Sequence, residues 1–174
     1  MFFGGGNGEF DDNISASSFH FLFSEIIKWC CADEDDIEKV ENNLFVIGQK
    51  IGFKQTEKIL CKQKKRITTF QNLLQLIHNE LWKSLFGKTA DGVERNKNDK
   101  NQFLIFDKNP LTNQFVSVPS NLGDLNVATF IAGIVKGVLD ANFVKSNVTT
   151  RYTSSKNKEE TVFIIDIEDF SGFE

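Results

Sequence analysis

The segment IHNELW puts a histidine, His78, two positions before a carboxylate, Glu80, and these are residue types of general acid and base catalysis. A zinc hydrolase would need a second histidine four residues after the first, on the same helical face, and Trp82 stands there instead. Just downstream, FGKTAD offers Gly87, Lys88 and Thr89, a glycine, an ammonium and a hydroxyl with which a loop can cradle a phosphate. That loop requires another glycine five residues before the Gly-Lys pair, and the position is again Trp82. Gly87 reads better as the stop of a helix. The cysteines, Cys30, Cys31 and Cys61, have no CxxC spacing and cannot all pair within one chain, so neither a structural zinc site nor a disulfide framework is expected. The run DEDD, Asp33 to Asp36, suits a helix N-terminus better than a metal site. His20 sits among phenylalanines, and no serine has the GxSxG surroundings of an activated nucleophile. The expectation is therefore no metal, no cofactor and no catalytic residue.

The elements that carry these residues follow from apolar spacing. Residues 1–14 are glycine-rich and acidic and read as a disordered tail, residues 15–169 as one domain, and residues 170–174 as a C-terminal tail. A first helix begins near Ser15, with serines able to cap it, and a second follows DEDD and runs through Leu60. Beyond the basic connector KQKKR, a third helix from about Thr68 to Phe86 places Phe70, Leu73, Leu74, Ile77, Leu81 and Leu85 on one face. A polar loop over residues 91–101 precedes QFLIFD and QFVSVP, which read as a strand hairpin turned by KNPLTN. A fourth helix, then NVTTRYT and TVFIIDIE, complete the order α-α-α-β-β-α-β-β, an α+β fold with helices on an antiparallel sheet.

On a wheel of about 100° per residue, Trp29, Leu22, Ile26, Phe19, Cys30, Phe23 and Ile27 of the first helix spread over about half its circumference. The second helix has two stripes: Val40, Leu44, Ile47 and Ile51, and separately Val46, Phe53 and Leu60 at seven-residue spacing. One sheet cannot cover so wide an arc, so Phe19, Leu22, Phe23, Ile26, Trp29, Val46, Phe53 and Leu60 are expected to form a partner interface. The abundance of phenylalanine, 18 of 174 residues, suits cores and interfaces. A net charge of -4 gives no field for nucleic acid. No run of apolar residues is long enough for a membrane span, and the start lacks a signal peptide pattern, so a cytoplasmic protein is expected.

Two glycines four apart, Gly133 and Gly137, interrupt the apolar ATFIAGIVKGVLDANF. Each costs up to about 1 kcal/mol against alanine inside a helix, so close approach of another backbone should offset them. Gly48 and Gly52 repeat the spacing in the second helix.

ASSFHFLFSEIIKW, VIGQKIGF, LWKSLFGKTADGVE, FLIFDKNPLTNQFVSVP and LNVATFIAGIVKGVLDANF resemble, in unbroken order, blocks of the Bet-three-like small subunits of the TRAPP vesicle-tethering complex. The resemblance implies four helices packed on a twisted four-stranded antiparallel sheet. It also implies side-by-side pairing through the first two helices with the founding Bet-three-type subunit, and assembly with other small TRAPP subunits. The assembled family core is a guanine nucleotide exchange factor for a Rab GTPase in endoplasmic reticulum to Golgi transport, peripheral on those membranes. A member of this kind is a scaffold that helps dock the GTPase, and no catalytic residue can be carried over. Some founding-type members are acylated on a cysteine before the third helix, where this chain reads KQKKRITTF, without cysteine. The alternative reading is a vinyl-reductase-like sensor, which uses a similar fold to hold an apolar small molecule or lipid.

Overall fold

The most apolar helix lies at the centre of the fold. The computed structural model describes residues 16–32, 36–63, 67–114, 123, 125–155 and 158–169. Both expected tails, Asp33 to Asp35 of the acidic run and residues 115–119 of QFVSVP lie outside these. Helices α1 (Ala16–Cys31) and α2 (Ile37–Gln63) lead into α3, built of three abutting segments, Phe70–Gln75, Leu76–Leu81 and Trp82–Phe86. Strands β1 (Gly92–Arg95) and β2 (Gln102–Asp107) come next, then a 3-10 turn (Leu111–Asn113), α4 (Thr129–Ala141), β3 (Lys145–Ser155) and β4 (Lys158–Asp169). The sheet is antiparallel throughout, in the order β1-β2-β4-β3. The fold is therefore α+β, with helices on a four-stranded antiparallel sheet.

One strand differs from the expectation. The hairpin mate of β2 is β1, GVER, a stretch whose polar composition reads as loop. β1 pairs with Phe103 to Phe106 on one side of β2, and β4 pairs along the other. Both edges of QFLIFD are thus occupied, and QFVSVP cannot be its hairpin partner. KNPLTN holds the 3-10 turn instead.

Several helix ends have a local cause. Asp36 Oδ1 accepts from Glu38 N–H at 3.1 Å, opening α2. Thr69 Oγ1 accepts from Asn72 N–H at 3.3 Å, opening α3. The middle segment of α3, Leu76–Leu81, is π-helical, and its wider turn rotates the last segment of the helix. Trp82 becomes fully buried and Leu85 only half-buried, whereas the plain helical period places Leu85 in the core and leaves Trp82 out. A buried indole needs an acceptor. Asp107 of β2 supplies it: Oδ2 accepts from Trp82 Nε1 at 3.0 Å, while Oδ1 accepts from Lys88 Nζ at 2.5 Å and Asn109 N–H at 3.0 Å. The carboxylate ties the end of α3 to the end of β2. Gly87, left-handed at φ 71, stops the helix between them.

α4 ends in a Schellman cap. Val144 N–H donates to Leu139 O and Phe143 N–H to Asp140 O, each at 3.0 Å. The motif sets Phe143 in the left-handed region, at φ 61, a place usually given to glycine. A side chain there costs roughly 1–2 kcal/mol.

The contact between α2 and α4 is the closest in the molecule's helical layer. A Cβ on Gly48 would run into Phe130 O, and one on Gly52 into Ile134 O. In return, a Cβ on Gly133 would meet Phe45 O, and one on Gly137 would meet Gln49 O with Phe53 N at 2.8 Å. The pairs advance together along both helices, so α2 and α4 run in the same direction. Each helix thus lays two glycines against carbonyls of the other, in the geometry that allows Cα–H···O contacts worth about 0.5–1 kcal/mol apiece. Such contacts, with the dispersion of two backbones, offset the propensity cost of the glycines. Thr56 continues the small-residue row, its Oγ1 donating to Gly52 O at 2.9 Å.

Because the obstacles are backbone atoms, the site cannot yield by a rotamer change. Gly52→Ala and Gly137→Ala should each destabilise by about 3 kcal/mol, the upper end for overpacking. Thermal unfolding followed by circular dichroism should then fall by about 6–12 °C. Gly92→Ala is the control, since its methyl would rest 3.6 Å from Phe106 Cδ2, an ordinary contact. Equal melting temperatures for all three variants would refute the backbone-contact account.

Candidate partner interface

The wide apolar arc of α1 divides between two jobs. Phe23, Ile27 and Cys30 are buried, with Phe23 stacked on Phe19 (5.6 Å, 10° between planes) and tilted against Phe130 of α4 (5.1 Å). Phe23, expected at the partner face, belongs to the core instead, because it shares the arc of Ile27 and Cys30 that points at α4. About a hundred degrees round the same helix, Leu22 and Trp29 stand 61% and 71% exposed. Phe19 and Ile26 lie between the two groups and are half-buried against the core edge. Phe21, absent from the expected face, is 77% exposed. It sits on the side of Glu25 and Lys28, where a lone apolar residue breaks a polar face.

α2 repeats the division. Val40, Leu44 and Thr56 are buried, Ile47 and Ile51 pack half-buried at the core, and Gly48 and Gly52 face α4. On the far side of the glycine row, Val46 and Phe53 are exposed, Phe53 to 46%, and Leu60 is half-buried. These three are seven residues apart, two full turns, and so repeat on one line of the helix. α4 approaches closely on one flank of α2, and the neighbouring line stays exposed at Val46 and Phe53 while Leu60 packs at the core edge.

The residues that suggested chemistry do not gather. His78 is half-buried on α3, its Nδ1 paired with Asn79 Oδ1 at 2.7 Å, and Glu80 is exposed. Lys88 is committed to Asp107 and to Asn109 O, at 3.0 Å for the latter. Among the described residues, no group of three or more His, Cys, Asp or Glu is placed to hold a metal ion. Burial, and to a lesser degree neighbouring Cys31, pushes the Cys30 thiol up, and burial pushes up that of Cys31. Cys61 is exposed near the end of α2. Among the described residues no helix is long and apolar enough to cross a membrane. What the surface offers is apolar area, the chemistry of association.

The family model for a transport protein particle (TRAPP) component matches residues 19–168. The chain belongs to the TRAPP component family. It is 38% identical over 168 residues to trafficking protein particle complex subunit 5 of Dictyostelium discoideum, covering 92% of this chain and 86% of the relative. Against subunit 5 of Homo sapiens it is 32% identical over 141 residues, covering 80% and 75%. In three dimensions it is similar to a crystal structure of subunit 3 from Naegleria fowleri covalently bound to palmitic acid, with a TM-score of 0.73 at 16% identity, covering 88% and 95%. That likeness concerns the fold. The relatives are named as subunits of a trafficking protein particle complex, which makes other TRAPP subunits plausible partners.

If folding and association draw on different sides of α1, their substitutions separate in the isolated chain. Phe23→Ala should cost about 3–5 kcal/mol in urea unfolding. Leu22→Ala and Trp29→Ala should stay within about 0.5 kcal/mol of the starting protein, as surface changes do. A large loss for Trp29→Ala would show that it packs in the monomer.

Proposed function

We propose that this chain is a non-catalytic scaffold subunit of the TRAPP vesicle-tethering complex, pairing through α1 and α2 with the founding Bet-three-type small subunit. By that pairing it helps assemble an exchange factor for a Rab GTPase in endoplasmic reticulum to Golgi transport. Its place is cytoplasmic, peripheral at the cis-Golgi and endoplasmic reticulum, held there by the complex. The observation that carries the reading is the exposure of Leu22 and Trp29 on α1 and of Val46 and Phe53 on α2. Large aromatic and aliphatic side chains kept in water by a folded domain are what a partner subunit covers, and a tryptophan is a frequent energetic anchor. The subunit 5 relatives support the choice of complex, and the resemblance of the sequence blocks supports the choice of neighbour.

The reading gives this chain no cofactor and no active residue; exchange activity belongs to the assembly. The palmitic acid of the Naegleria subunit 3 is not carried over. The segment ahead of α3 has no cysteine, and Cys61 lies on α2 among lysines.

Mixing the chain with a purified Bet-three-type subunit should give a one-to-one particle by size exclusion with light scattering. Trp29→Ala with Phe53→Ala should weaken that pairing at least about tenfold, the loss typical of a binding hot spot, without lowering the melting temperature of the chain alone. A wild-type chain that ignores the Bet-three-type subunit, or a double variant that pairs normally, would overturn the proposal.

A further inference from the structure

The outward face of the second half of α2 carries a charge that neither the core nor the apolar line uses. Lys50, Lys54, Lys58 and Lys62 follow one another at four-residue steps, and all four are exposed. They form one row about 18 Å long, at about 1.5 Å of rise per residue. None of them is in an ion pair among the described residues. Between Asn42 and Gln63 the helix offers a single carboxylate, the exposed Glu57, and the sequence then continues with Lys64, Lys65 and Arg66. The end of α3, with exposed Lys83, abuts the same half of α2, where Gln55 Nε2 donates to Ser84 Oγ at 2.5 Å. Each lysine repels the next across a helical turn, which weakens the helix. The helix dipole favours a cation in the last turn alone, so it accounts for Lys62 and not for Lys50, Lys54 or Lys58. In a chain of net charge -4, the row is a segregated positive field.

We infer that this lysine row is a docking surface for the anionic headgroups of a lipid bilayer. The cations stand on a straight, convex helix face, which meets a surface of distributed charge better than it cradles one phosphate. Lysine supplies point charges on flexible stems, whereas arginine's planar fork is the group for bidentate recognition of a single phosphate or carboxylate, and the row contains no arginine. That favours a bilayer over a phosphorylated or acidic protein segment. Each lysine held near an anionic leaflet adds about fivefold to binding, and acidic groups of the chain more than about 10 Å away are screened. On a wheel of about 100° per residue, Lys58 and Lys62 lie about 140° and 180° from Phe53. A subunit seated on the apolar line therefore leaves them facing solvent.

The inference goes beyond the α1–α2 pairing and does not rest on it, and the two are read by different variants. The full chain is sedimented with vesicles of phosphatidylcholine, alone or with about a third phosphatidylserine, over a series of salt concentrations. The wild type should bind the phosphatidylserine vesicles, ignore those of phosphatidylcholine alone, and dissociate as salt rises. Lys54→Glu with Lys58→Glu should weaken binding by about tenfold or more, and Lys50→Gln with Lys62→Gln, a milder change at the ends of the row, should weaken it severalfold. Lys97→Glu with Lys100→Glu makes the same change of net charge in the exposed β1–β2 loop and should bind as the wild type does. Trp29→Ala with Phe53→Ala should also bind vesicles normally, whatever becomes of its pairing. A wild-type chain that does not sediment with phosphatidylserine vesicles would overturn the inference. So would equal losses from the α2 and loop pairs, which would reduce the effect to net charge, or loss of vesicle binding in the Trp29/Phe53 variant, which would move the contact to the apolar line. Vesicle binding untouched by Lys54→Glu with Lys58→Glu, alongside lost pairing with the Bet-three-type subunit, would name an acidic protein as the occupant and overturn it as well.

Discussion

The approach of α2 to α4 at backbone distance is the constraint on which the helical layer depends. Four glycines meet four carbonyls across that contact, and no side chain stands between the two helices there. α4 is thereby clasped between α2 and the sheet, which explains why Phe130 to Val135 and Gly137 to Leu139 are buried almost all round the helix. The polar residues of α4 escape at one edge, where Lys136 and Asp140 pair and Gln49 of α2 closes on Asp140. With one flank of α2 used in this way, Val46, Phe53 and Leu60 fall on the line beyond it. Ordinary spacing between the helices would leave room for larger side chains at the contact and would change the aim of every residue on both helices.

A second fastening sets the other half of the molecule. The π-helical segment of α3 turns Trp82 inward, edge-on to Phe163 of β4 at 5.6 Å, and brings its indole N–H to Asp107. Lys88, 40% exposed at its side chain, reaches the same carboxylate from the solvent side, so the charge is paired without burying the ammonium. The residues that imitate a phosphate loop are in this way explained by a strut between helix and strand.

Legibility tracks the strength of each local signal. Long periodic segments such as α2 and β4 can be read from their apolar spacing, and so can the wide arcs of α1 and α2. Phe23 falls on the wrong side of the division because a helical wheel shows how wide an apolar arc is but not where the neighbouring helix divides it. β1 escapes for a different reason: GVER contains one apolar side chain, as befits a short edge strand that must not invite further pairing. The inward turn of Trp82 comes from a π-helical segment, which no 3.6-residue period contains. Phe143 leaves no trace in the pattern, since its meaning lies in a backbone dihedral and not in its spacing.

Exposure has different thermodynamic signs at the two surfaces. Leu22 and Trp29 are wet in the folded chain and wet in the unfolded chain, so keeping them costs folding almost nothing. Phe143 differs, because its left-handed backbone is a cost of the folded state alone. An arc such as that of Leu22 and Trp29 can therefore widen freely beside a core face, limited by solubility alone. The left-handed backbone of Phe143 instead opposes folding whatever the ring touches.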